Sequence, residues 1–167
     1  ASPVSDPVHA DCQKLAEEIS RRTLWRSSGY SEIWLDGEKL DLLSECQLPP
    51  EAEDPVYGKV WLPRKFKMGI AIPPRNDVDI FSQDVGFVPH VVNDTVEGYS
   101  IFVGGGFGGR AAVGRQVFQG LSFEDVKVTI EKMLQAYLQL RQQGESFQQF
   151  TARHDLNQLQ VLFANAA

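Results

Sequence analysis

Cysteine is scarce. The 167-residue chain has two, Cys12 and Cys46. They are too few and too far apart for this chain alone to build a zinc or iron–sulfur site. Two reduced thiols in a cytosolic protein is the plain expectation, with a disulfide as the alternative. Histidine is also sparse: His9, His90 and His154 fall in three separate segments, none beside a nucleophile. No Ser/His/Asp or Cys/His arrangement can be named. No apolar run approaches the roughly 20 residues of a membrane helix. The opening A-S-P-V-S-D-P has neither the basic nor the apolar region of a secretion signal. Internal repeats and low-complexity tracts are absent. Cations are in deficit, 16 Lys and Arg against 22 Asp and Glu for a net charge of −6. That balance argues against nucleic acid as the main partner. A cytoplasmic protein with no membrane association is expected.

Against that deficit, W-L-P-R-K-F-K-M-G at 61–69 places Arg64, Lys65 and Lys67 within four positions. Side chains alternate faces along a strand, so Lys65 and Lys67 would share one face, opposite Phe66. Two ammonium groups on one face form a point-charge trap for an anion. A solvated edge strand protected by lysine is the competing reading.

The remaining pattern gives a single domain of class α+β, an antiparallel or mixed sheet covered by helices. Residues 1–120 form its α/β core and 121–167 a helical part. Asp6-Pro7 is a helix start, with Val8, Cys12, Leu15, Ala16 and Ile19 following at helical spacing to Arg21-Arg22. Residues 31–37 read as a short strand and 47–58 as a surface loop. Strands are expected at 67–72, at 78–81, at 86–92 and at 99–103, with 93–98 as a hairpin loop. Ser122 caps a helix whose stripe runs from Val126 to Leu140, and Gly144 stops it. Further helices cover 146–153 and 156–163.

Gly104-Gly105-Gly106-Phe107-Gly108-Gly109-Arg110 follows a strand. Free backbone N–H groups there suit an anion or a flat ligand, and a flexible turn is the simpler alternative. The run fits neither the phosphate-loop pattern nor a dinucleotide fingerprint. Asp77, Asp79 and Asp84 offer carboxylates at metal-like spacing, but serve more simply as turn residues and as partners for Arg75 or the lysines.

Four ordered blocks combine these features: L-P-R-K-F-K at 62–67, I-P-P-R-N-D-V-D-I at 72–80, Q-D-V-G-F at 83–87 and G-Y-S-I-F-V-G-G-G at 98–106. Together they resemble the sirohaem-binding half-domain of the sulfite and nitrite reductase hemoproteins. Upstream, H-A-D-C-Q-K-L-A-E-E-I-S and S-E-I-W-L-D-G-E resemble the helix and strand that precede it. The resemblance covers about residues 3–120. The tail G-E-S-F-Q-Q-F-T-A-R-H-D is similar to the segment closing the cluster-bearing half of the same family.

The resemblance implies that Lys65 and Lys67 face the distal side of the iron, bind the substrate anion and assist its protonation in a six-electron reduction. It implies Arg64 as a ligand of macrocycle carboxylates, and Gly104, Gly105 and Gly106 as backbone lying close to sirohaem. Lysine at position 67 favours the sulfite-type branch over the nitrite-type one. Three departures accompany it. The family's 4Fe-4S cluster is held by the cysteine pairs C-x-x-x-x-x-C and C-x-x-x-C, and neither occurs here. The family's further active-site arginines, which lie upstream, are absent. The tail resembles the wrong half. The expectation is therefore a reductase domain inactive alone, whose 4Fe-4S cluster comes from a missing portion or from a cluster-bearing partner subunit. The start at Ala1 without Met agrees with a piece of a longer chain. The alternative is a stand-alone relative that binds a tetrapyrrole, a small anion or a reductase subunit without catalysis.

Overall fold

The structure, a computed structural model, describes residues 6–24, 33–35, 38–40, 57, 62 and 65–166. Helix α1 (Pro7–Thr23) starts where Asp6 accepts a hydrogen bond from the His9 N–H at 2.9 Å and Pro7 supplies a fixed φ. Strands β1 (Ile33–Leu35) and β2 (Glu38–Leu40) pair antiparallel as a separate two-stranded unit. The main sheet has four strands in the order β3 (Met68–Ile70), β4 (Val85–Val92), β5 (Thr95–Val103) and β6 (Arg115–Leu121). β3 runs parallel to β4, and the other pairings are antiparallel, so the sheet is mixed.

Four details differ from the sequence expectation. The strand expected at 67–72 is shorter, 68–70. No strand forms at 78–81. Asp79 adopts left-handed φ 48°, the Asn76 Oδ1 accepts from the Ile80 N–H at 2.8 Å, and Ile80–Ser82 close a 3-10 turn. The side chain of Asn76 thus replaces the ladder partner a strand would need. The hairpin loop contracts to Asn93-Asp94, both left-handed at φ 48° and 58°, as a tight primed turn requires. β6 was not anticipated. The segment 47–58, Tyr57 apart, lies outside the described residues, as does Arg64.

One face of the sheet carries Val85, Phe87, Tyr99, Ile101, Val103 and Val117, all buried. Helix α1 lays Val8, Cys12, Leu15 and Ile19 into the same core. Helix α2 (Phe123–Leu140) adds Val126, Ile130, Met133, Leu134 and Tyr137. The Ser122 hydroxyl caps it through the Asp125 N–H. Two short helices follow, α3 (Phe147–Ala152) and α4 (Leu156–Asn165), each opened by a reciprocal capping box. Gly144 turns the chain between α2 and α3 at φ 74°. The Tyr137 hydroxyl donates to the Glu145 carbonyl at 2.7 Å, and Arg153 pairs with Glu145 at 2.6 Å. Phe147 and Phe150 then stack edge-on against Tyr137.

Leu15 is fully buried where α1 meets this core. Leu15→Ala is expected to lower unfolding free energy by about 2–5 kcal/mol, measured by urea denaturation. A cost below about 1 kcal/mol would show that α1 is not packed as described.

Candidate functional site

The loop before β3 alternates its side chains. Phe66 turns inward and stacks on Phe147 with ring centroids 5.0 Å apart. Lys67 turns to the other side and lines a cavity of about 410 Å³. The opposite wall is the glycine run, through Gly105, Gly106 and Phe107, followed by Arg110. Ser82 and Asp84 line it from the segment before β4, and Gly144, Ser146 and Gln148 from the tail.

Backbone hydrogen bonds fix the two walls relative to each other. The Lys67 N–H donates to the Asp84 Oδ2 at 2.9 Å, and the Val85 N–H donates to the Lys67 carbonyl at 3.1 Å. On the other side the Gly104 N–H donates to the Asp84 carbonyl and the Gly105 N–H to the Gln83 carbonyl, both at 3.1 Å. Asp84 is 3% exposed. It therefore ties the cation to the glycine run through its side chain on one wall and its backbone on the other.

Glycine is required at three positions of the run, and a Cβ on Gly106 would lie 2.6 Å from the Arg110 carbonyl oxygen. Gly104 sits at φ 82°, and a Cβ there would meet the Thr151 hydroxyl. A Cβ on Gly105 would lie 2.5 Å from the carbonyl oxygens of Phe81 and Gln83. Close packing, rather than chain flexibility, accounts for this half of the run. Beyond it, the Gly106–Ala112 bridge closes a loop bearing Phe107 and Arg110.

The lysine is held from one side. Its ammonium lies 5.2 Å from the centroid of the half-exposed Phe107 ring, a cation–π contact. Neither Lys67 nor Arg110 forms an ion pair with a carboxylate among the described residues. Elsewhere the chain does pair its cations, as in Arg22–Glu131 at 2.9 Å and Lys127–Glu124 at 2.6 Å. Of the residues named from sequence, Lys67, Gly105 and Gly106 thus meet at one cavity, with Gly104 anchoring it. Lys65 is exposed and does not line it. Sequence reasoning gave no role to Phe107, Arg110 and Gln148. The arginine at the end of a glycine run was the available signal.

The side-chain donors suit anionic oxygens such as macrocycle carboxylates: Lys67 and Arg110, neither with an acidic partner among the described residues. The free backbone donors expected of the glycine run are not there, because the N–H groups of Gly104, Gly105 and Gly106 donate to the carbonyls of Asp84, Gln83 and Ala112. The chain does not suit an iron–sulfur cluster. Four thiolates are needed, and the chain has two cysteines. Cys12 is buried, and burial pushes its thiol up to about 11 despite a hydrogen bond with Tyr99. Burial, reinforced by the hydrogen bond to Asp11, raises Tyr99 as well. Among the described residues no group of three or more His, Cys, Asp and Glu is placed to hold a metal.

Comparison with known proteins gives the class. The family described as "Nitrite and sulphite reductase 4Fe-4S domain" matches residues 14–162, so the chain belongs to the nitrite and sulfite reductase family. The sulfite reductase (NADPH) hemoprotein beta-component of Staphylococcus saprophyticus is 40% identical over 139 residues, covering 80% of this chain and 24% of that protein. Those of Staphylococcus carnosus and Geobacillus kaustophilus are 45% identical over 107 residues and 46% over 109, each covering 64% of this chain and 18% of the relative. The chain thus spans about a fifth to a quarter of the length of these curated relatives. The structure of the Mycobacterium tuberculosis NirA protein aligns at a TM-score of 0.49 and 21% identity, over 90% of this chain and 22% of that one. No helix of the described residues is long and apolar enough to cross a membrane.

Asp84→Ala is expected to cost about 1–3 kcal/mol by removing the buried carboxylate that accepts the part-buried Lys67 N–H. Hydrogen exchange should speed up at Lys67 and leave Ile130 in α2 unchanged. Equal exchange at Lys67 in both proteins would refute the tie. Cys12, with its ionisation raised by burial, should resist iodoacetamide at pH 8 and react on unfolding in urea. The sign for stability follows: the folded thiol holds its proton beyond the ordinary value of 9.0. Stability contributed by Cys12 is complete below pH 9 and declines as pH rises towards about 11. Rapid labelling of the native protein would contradict the burial.

Proposed function

We propose that this chain is a domain of a sirohaem-dependent sulfite, or nitrite, reductase that supplies cations for the substrate anion and for the carboxylates of the macrocycle. The observation that carries the reading is that Lys67 lines one cavity with Gly105 and Gly106, with no acid among the described residues paired to it. Lys67 binds the anion and offers a proton to it. A fixed ammonium in a site that closes against water attracts an anion more strongly than one in bulk solvent. Lys65, one turn of chain away on the exposed side, takes the same roles at the outer edge, and Arg64 binds a macrocycle carboxylate. Gly104, Gly105 and Gly106 let this backbone pack tightly against Thr151, Phe81, Gln83 and Gln148, and in the proposed reading that packed backbone lies close to the macrocycle. Bound sirohaem would supply the iron at which sulfite takes up electrons.

The two cysteines cannot hold the 4Fe-4S cluster. Turnover therefore requires a cluster-bearing half or subunit as partner, in the cytoplasm. The same shortage supports one other reading, a stand-alone relative that binds a tetrapyrrole, an anion or a reductase subunit and does no chemistry. The two differ in whether activity returns when a cluster-bearing half is supplied.

Sirohaem added to the purified chain should give a stable haem-type absorption spectrum. The double variant Lys65→Ala/Lys67→Ala should weaken its binding about 10- to 100-fold, as expected for two lost charge-assisted contacts. A wild-type chain that leaves the spectrum of free sirohaem unchanged would overturn the proposal, as would a double variant binding equally well.

A further inference from the structure

We infer that Arg110 is a second anion-binding residue of this cavity, and that with Lys67 it forms a two-cation clamp for one pair of anionic oxygens. The inference rests on the functional reading above and adds a ligand outside the four blocks that carry the family resemblance.

Three observations support it. First, Arg110 lines the same cavity as Lys67, on the loop whose Phe107 ring meets the lysine. Second, its guanidinium is exposed yet has no carboxylate partner among the described residues, in a chain with six more acids than bases. Third, its backbone is held in place. The Gln148 Nε2 donates to the Arg110 carbonyl at 2.6 Å, and the Gly106–Ala112 bridge closes the loop beneath it, with N–H to carbonyl distances of 3.0 and 3.2 Å.

The chemistry of the two cations is complementary. Guanidinium presents a planar fork that grips two oxygens of a carboxylate or oxyanion, whereas ammonium acts as a compact point charge. Phe107 lies between them in sequence and already holds the lysine by its ring face. That contact keeps the ammonium on the cavity side without neutralising it. The ligand is an anionic oxygen pair. It comes either from a free oxyanion such as sulfite or from a carboxylate arm of a tetrapyrrole.

The test uses the full chain and two probes, sodium sulfite under anaerobic conditions and uroporphyrin, an iron-free tetrapyrrole octacarboxylate. Binding is read from amide NMR shifts of Gly105, Gly106 and Ala112. Arg110→Ala should weaken the binding probe about tenfold or more, with an unchanged melting temperature, and Arg110→Lys should recover part of the loss. Arg110→Gln guards against loop rearrangement in the alanine variant and should behave like it. Response to sulfite assigns the clamp to the free oxyanion, and response to uroporphyrin alone assigns it to a macrocycle carboxylate. If Arg110→Ala and Arg110→Gln bind within twofold of wild type while Lys67→Ala weakens tenfold, the clamp is wrong and the Lys67 site stands. If neither probe shifts these amides, both the clamp and the anion reading fall.

Discussion

Asp84 is the residue on which the arrangement depends. Its carboxylate accepts the Lys67 N–H, its carbonyl accepts the Gly104 N–H, and the following residue donates to the Lys67 carbonyl. Together these bonds join the start of β3 to the end of β5 across the start of β4. The parallel pairing of β3 with β4 over Met68–Ile70 extends the same contact. A buried carboxylate is costly unless hydrogen-bonded, and here the bonds it makes also set the width of the cavity. The separation of cation and glycine run is thus a property of the sheet, not of flexible side chains.

The cavity has an unusual charge distribution for an acidic protein. Several other cations neutralise nearby acids or bind carbonyls: Arg115 donates to the Thr151 and His154 carbonyls, and Lys132 to that of Ala164. Among the described residues Lys67 and Arg110 do neither, and the two share one cavity. Excess negative charge over the rest of the surface would repel an approaching anion, so a local cationic hollow has to act at short range. The N–H groups of Gly104, Gly105 and Gly106 are spent on backbone carbonyls, so side-chain cations carry the positive charge of the hollow.

Much of this was legible in the sequence. The first and longest helices were marked by their caps, Asp6 and Ser122, because capping chemistry is local, whereas the capping boxes at Ser146 and Asp155 emerged only in the structure. The hairpin was visible from its β-rich flanks, although Asn93-Asp94 made a tighter turn than expected. The lysine–glycine juxtaposition came from four spaced blocks rather than from any single pattern. What escaped notice depended on contacts distant in sequence. Val78–Phe81 has strand-forming residues, but the Asn76 side chain captures the Ile80 N–H. β6 is irregular, with register shifts against β5, so its alternation is broken. The cation at 110 gains significance only when Gln148, far along the chain, is seen to hold its carbonyl. Lys65 shared a sequence motif with Lys67 but not a place in the cavity.

The tail helix α3 touches the glycine run twice, through Thr151 beside Gly104 and Gln148 beside Gly106. Any engineering of this domain that trims it at residue 120, where the resemblance by blocks ends, would therefore remove one wall of the hollow. The smallest portable unit has to carry the last forty-odd residues along with the sheet, and chimeras spliced at that junction would inherit a groove open to solvent.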